Sequence, residues 1–191
     1  CSRDWSSDVC SSDLQLDCGK FDQHQQNIPF AAFIGALNRF FESILADEDT
    51  AAVELSDDIL AATGANAAVL TDLLPHLEKL IGPQPPVQEL SDAQRRIRFN
   101  LTFQKFMRAL GSARHPLVLF IDDWQWADSA SLELLKVIFS ADMPGHLLMI
   151  MAYRDNEVSA SHPLTQTIRN LETSGVKINP LSLEPLAEAD V

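Results

Sequence analysis

Two adjacent carboxylates, Asp122 and Asp123, close an unbroken apolar run, Leu117-Val118-Leu119-Phe120-Ile121, and Trp124-Gln125-Trp126-Ala127-Asp128 follow at once. Five apolar residues in a row read as a strand buried on both faces, as in a parallel sheet covered by helices. Open α/β sheets gather their chemistry in the crevice beyond the carboxyl ends of the strands, which is where this spacing puts the two acids. Like charges held side by side at such an edge call for a cation or a polarised water. As a bare pair they could equally solvate the loop or cap the helix that follows.

A second apolar run, Leu147-Leu148-Met149-Ile150-Met151-Ala152, ends in Tyr153-Arg154-Asp155. Between the runs, Leu132, Leu135, Ile138 and Phe139 form an amphipathic stripe, with Asp128 placed to cap it and Pro144-Gly145 to break it. The strand-helix-strand unit has the length of a right-handed parallel crossover. Neighbouring strand ends in such a sheet lie about 5 Å apart, so Arg154 is expected to face the acids across the crevice. A guanidinium there suits a phosphate; the alternative is an ion pair with Asp155, Glu157 or the acidic strand end. Trp124 and Trp126 read as packing residues. His115 and His162 each precede a proline without a partner at metal-ligand spacing and read as structural.

The elements upstream are helical. Phe30, Phe33, Ile34, Leu37, Phe40, Phe41 and Ile44 recur at helical spacing, with Pro29 expected in the first turn. A second pattern runs from Val69 to Ile81, with Pro75 expected to kink or split it. Ser91-Asp92-Ala93-Gln94 fits a capping box that opens a helix stopped at Gly111. Downstream, a short helix around Leu164, Ile168 and Leu171 follows Pro163. Val176, Ile178, Leu181 and Leu183 suggest a further strand, weakened by Pro180.

Residues 1–14 show neither period, and the string Asp4-Trp5-Ser6-Ser7-Asp8-Val9-Cys10-Ser11-Ser12-Asp13-Leu14 resembles a sequencing adapter translated in one frame. They are set aside from fold reasoning as a tag would be. Of the net charge of −13 they carry −2 (Arg3 against Asp4, Asp8 and Asp13), leaving −11 for residues 15–191. An acidic chain lacks the electrostatic footprint for nucleic acid or an anionic membrane. Cys18 is the one cysteine past residue 14, so no disulfide framework is expected, which suits a reducing cytoplasm.

The string Phe120-Ile121-Asp122-Asp123-Trp124-Gln125-Trp126-Ala127-Asp128-Ser129-Ala130-Ser131, with Ala152-Tyr153-Arg154-Asp155-Asn156-Glu157-Val158 and His162-Pro163-Leu164, resembles AAA-type ATPase modules of the STAND class. More narrowly, it is similar to the ATPase module of large bacterial sensors that join a serine/threonine kinase-like domain, helical repeats, a GAF domain and a histidine kinase. Gly19-Lys20-Phe21-Asp22-Gln23, Asn27-Ile28-Pro29-Phe30 and Arg98-Phe99-Asn100 match that subfamily too.

The resemblance implies an α/β, P-loop NTPase-like, three-layer αβα parallel sheet over 15–191. A helical insert would fill about 29–112, a Walker B to sensor segment 117–158, and lid helices would start after about 184. It implies ATP and Mg²⁺ as cofactors. Asp122 would hold the metal, Asp123 would orient or deprotonate the attacking water, and Arg154 would sense phosphate. Asp123 stands where many relatives have Glu, and its shorter reach suggests the slow hydrolysis of a switch. The partners implied are the flanking kinase and helical-repeat domains, with no direct nucleic acid and no membrane. One motif is missing: Gly19-Lys20 lacks the first glycine and the hydroxyl of Gly-x-x-x-x-Gly-Lys-[Ser/Thr]. The first strand and phosphate loop are therefore expected upstream, with weak or no ATP binding by these 191 residues alone. A module of a transcriptional regulator, or an interaction scaffold that lost nucleotide binding, are the other readings.

Overall fold

The computed structural model describes residues 15–24, 28–46, 50–113, 115–139 and 146–184. The readings made for residues 1–14, for Pro144-Gly145 and for the start of a lid beyond 184 lie outside the described residues.

The apolar run forms the middle strand of a three-stranded parallel sheet. Strand β1 is Gln15–Lys20, β2 is Leu117–Asp122 and β3 is Leu147–Met151, in the order β1-β2-β3. Paired positions run Gln15–Leu117–Leu147 through Gly19–Ile121–Met151. Helices α1 (Ala31–Ala46), α2 (Thr50–Thr63), α3 (Ala68–Thr71), α4 (Pro75–Ile81) and α5 (Asp92–Leu110) connect β1 to β2. Helix α6 (Ser129–Ile138) connects β2 to β3, and α7 (Pro163–Thr173) follows. This is an α/β fold of P-loop NTPase type.

The core lies between the sheet and the helices. Leu117, Leu119 and Ile121 are fully buried on the helix-covered face, with Phe33, Phe41, Phe103, Phe106 and Trp124 filling the space above them. Close approach of α1 to β1 depends on Gly19, where a Cβ would come within 2.7 Å of the Ala32 carbonyl oxygen. On the opposite face Leu16, Leu148 and Ile150 stay exposed.

Several expectations are met and some corrected. Pro75 does divide its segment, standing at the first turn of α4. Gln94 Oε1 accepts the Ser91 N–H at 3.2 Å at the start of α5, and the Asp128 carboxylate accepts the Ser131 N–H at 2.9 Å at the start of α6. His162 Nδ1 accepts the Leu164 N–H at 3.1 Å and so caps α7. Pro29, by contrast, lies outside α1, because Phe30 takes a left-handed φ of 63° and the helix starts after it. No strand forms over 176–184: Pro180 has no N–H to give a ladder, and Leu181 and Leu183 point into solvent. Helix α2 lies within the expected helical insert, but no apolar stripe marks it: among its described residues Leu55, Ile59 and Thr63 are buried, between alanines and acids.

Asp17 sits on β1 beside α1, and burial raises its carboxyl to about 7 against the opposing pull of Arg39. A carboxyl raised in the folded state costs stability as it ionises. The loss begins near the unfolded value of 3.8 and is complete above about 7. Asp17→Asn is expected to raise the unfolding free energy at pH 8 by about 2 kcal/mol, with little gain at pH 4. Urea unfolding at the two pH values checks this; an equal effect at both contradicts it.

Candidate functional site

The three strand ends lie level, and backbone hydrogen bonds tie them together. Lys20 closes β1 in register with Asp122, and the Phe21 N–H donates to the Asp122 carbonyl at 3.1 Å. Across the sheet the Ala152 N–H donates to the Ile121 carbonyl at 3.0 Å, and the Trp124 N–H returns to the Ala152 carbonyl at 3.1 Å. Chain leaving β2 is thus tied to chain leaving β3, with the acids between the ties.

Asp123 takes a left-handed conformation, φ 55° and ψ 42°, ahead of a 3-10 turn over Trp124–Trp126. Aspartate tolerates this region because its short polar side chain bonds locally. Here the Asp123 N–H donates to Asp122 Oδ1 at 2.7 Å. The turn sends the Asp123 side chain inward, 5% exposed, while Asp122 keeps a side chain 40% exposed. Beneath Asp123, the Trp124 ring is fully buried, edge-on to Phe21 at 4.9 Å and Phe33 at 5.9 Å.

Two side chains fix the Asp123 carboxylate. Gln125, itself buried, donates from Nε2 to Asp123 Oδ1 at 2.8 Å, and its Oε1 accepts the Arg154 N–H at 3.3 Å. Lys20 Nζ lies 2.8 Å from Asp123 Oδ2 and 3.7 Å from Asp122 Oδ2. The Lys20 ammonium holds the Asp123 carboxyl below the usual carboxylate value, helped by Gln125 and Arg154 and opposed by burial. Reciprocally, the hydrogen bond to Asp123 raises Lys20. Asp123 therefore contributes stability above pH 4 that is lost as pH falls through its lowered folded value.

Arg154 does reach the acids. Its Nε is 3.9 Å from Asp123 Oδ1, its guanidinium lies 5.7 Å from the Trp126 ring centroid, and Nη1 donates to Glu157 Oε1 at 3.1 Å. The phosphate-facing and ion-paired readings are thus both available to it. Asp128 is taken up as a helix cap and Trp124 as packing, as expected. Lys20 and Gln125 were missed. Lys20 stands outside the phosphate-loop pattern, and the signal that finds it is the level ends of parallel strands, which pair it with Asp122.

The site fits a divalent metal. Mg²⁺ takes few protein carboxylates and keeps several waters, which an exposed Asp122 next to a buried, ionised Asp123 permits. A positive group already sits across both acids, in the form of the Lys20 ammonium. No group of three or more His, Cys, Asp or Glu residues able to hold a metal occurs among the described residues, so further ligands would be water or phosphate. A cavity of about 300 Å³ lies elsewhere, between the end of α2 and α5, lined by Thr63, Gln94, Arg98 and Lys105 among others. No helix among the described residues is long and apolar enough to cross a membrane.

Comparison with known proteins gives two findings. The family described as AAA ATPase domain matches residues 14–150. Hybrid signal transduction histidine kinase G of Dictyostelium discoideum is 34% identical over 129 residues, 68% of this chain and 4% of that protein, so the chain spans a small fraction of its relative. No solved structure matches.

Proposed function

The chain belongs to the AAA ATPase domain family, and from that premise we propose that it is the nucleotide switch of a multidomain signalling protein of the STAND class. The observation carrying this reading is the acid pair at the end of β2, with one carboxylate open to the crevice and the other buried under Lys20, Gln125 and Arg154. The similarity to a histidine kinase supports a signalling context.

Residue by residue, Asp122 offers the open carboxylate to Mg²⁺, and Arg154 presents a guanidinium to phosphate oxygens. When bound, the metal neutralises the β- and γ-phosphate charge. Asp123 holds the attacking water in line. It orients or deprotonates that water through a carboxylate whose Oδ1 is fixed by Gln125. Because Gln125 also accepts the Arg154 N–H, a change at the phosphate end reaches the water end through one buried amide. Flanking kinase and helical-repeat domains would read the two states as a population shift.

Manganese(II), titrated into the isotope-labelled chain, tests the site. Paramagnetic broadening is expected to appear first at the amides of Lys20, Asp122, Asp123 and Arg154, and to disappear in Asp122→Asn. Broadening centred elsewhere, for instance around Arg98 in α5, contradicts the assignment.

A further inference from the structure

The segment Gly19-Lys20-Phe21 has a local architecture that the roles above leave unused. Gly19 is pressed against the Ala32 carbonyl of α1, and Phe21 is buried edge-on to Trp124. Lys20 between them is anchored on both sides, paired by backbone register to Asp122, yet its side chain is 63% exposed. An exposed lysine at a strand end is free to extend into water. This one folds over the acid pair, 2.8 Å from Asp123 Oδ2 and 3.7 Å from Asp122 Oδ2.

We propose that Lys20 is a tethered counter-ion that occupies the divalent-cation seat of the Asp122–Asp123 pair, so that metal enters by displacing it. The inference rests on the reading of Asp122 as the metal-holding acid. Two neighbouring carboxylates repel, and an ammonium across them relieves the repulsion while no metal is present. A divalent ion held by Asp122 brings twice the charge to the same place, beside Asp122 Oδ2. The ammonium and the metal therefore compete. The released side chain stays on the crevice rim, where a phosphate oxygen accompanying the metal gives it a new partner. Lys20 thereby favours metal arriving with a polyphosphate over metal arriving alone. Among the described residues the Arg154 guanidinium, Nε 3.9 Å from Asp123 Oδ1, also faces the pair, and Glu157 accepts from its Nη1 at 3.1 Å.

Manganese(II) alone, followed by its electron paramagnetic resonance signal, tests this on the chain itself at low salt. Lys20→Met and Lys20→Gln are expected to bind the ion about three- to tenfold more tightly than the wild type, an effect that added salt diminishes. Lys20→Arg restores the weak binding. Circular dichroism matched to the wild type shows that the variants fold, which the exposure of the Lys20 side chain favours. Unchanged or weaker binding in Lys20→Met, while Asp122→Asn still lowers affinity, overturns the counter-ion role and leaves the metal site standing. Binding that is indifferent to Asp122→Asn as well overturns the metal site and the counter-ion role together.

Discussion

Trp124→Ala is expected to lower the unfolding free energy by about 3–5 kcal/mol, a large part of what holds a domain of this size together. The indole is fully buried behind the acid pair, between Phe21 and Phe33, and little around it can collapse into the gap. The damage is directional. Phe21 follows Lys20 and packs on this ring, while the Trp124 N–H ties the end of β2 to Ala152 past β3. Loss of the ring frees both sides of the site. Trp124→Phe is expected to cost less than half as much. It keeps an aromatic wedge and removes a buried indole N–H that has no hydrogen-bond partner among the described residues. Equilibrium urea unfolding of the two variants separates these outcomes; equal losses would mean that the ring's volume is not what supports the site.

The parts of the molecule legible in the sequence are those whose signal is local. An unbroken apolar run ending in acids specifies a central parallel strand, and β2 is that strand, with β3 and α6 as the crossover. Capping chemistry placed the starts of α5 and α6, because a side chain three residues on either satisfies the end of a helix or does not. The apolar positions between 176 and 184 misled because alternation alone does not supply a partner strand, and Pro180 withholds a donor. Helix α2 carries no mark of its own within the expected insert, because Leu55 and Ile59 are buried by tertiary contacts rather than by a wide apolar stripe.

Within the site, Asp122, Asp123 and Arg154 were legible as residues next to strand ends. Lys20 and Gln125 were not. The place of Lys20 depends on the register between β1 and β2, strands separated by nearly a hundred residues of helices, and that of Gln125 on a left-handed turn at Asp123. Phe30, likewise left-handed, shows the same limit at the start of α1.

The role proposed for Asp123 is to position the water that attacks the terminal phosphate. Asn at this position keeps the size and an oxygen able to accept from Gln125. It loses the charge that aligns a water and that pairs with Lys20. A positioned carboxylate of this kind contributes about 10²–10³-fold to a rate. The direct measurement is single-turnover hydrolysis of Mg²⁺–ATP by the polypeptide that carries this module, wild type against Asp123→Asn, with nucleotide affinity measured alongside. The rate is expected to fall by about 10²–10³-fold, with affinity changed no more than a few-fold. An unchanged rate at unchanged affinity would contradict it and leave Asp123 as a structural anchor for Lys20 and Gln125.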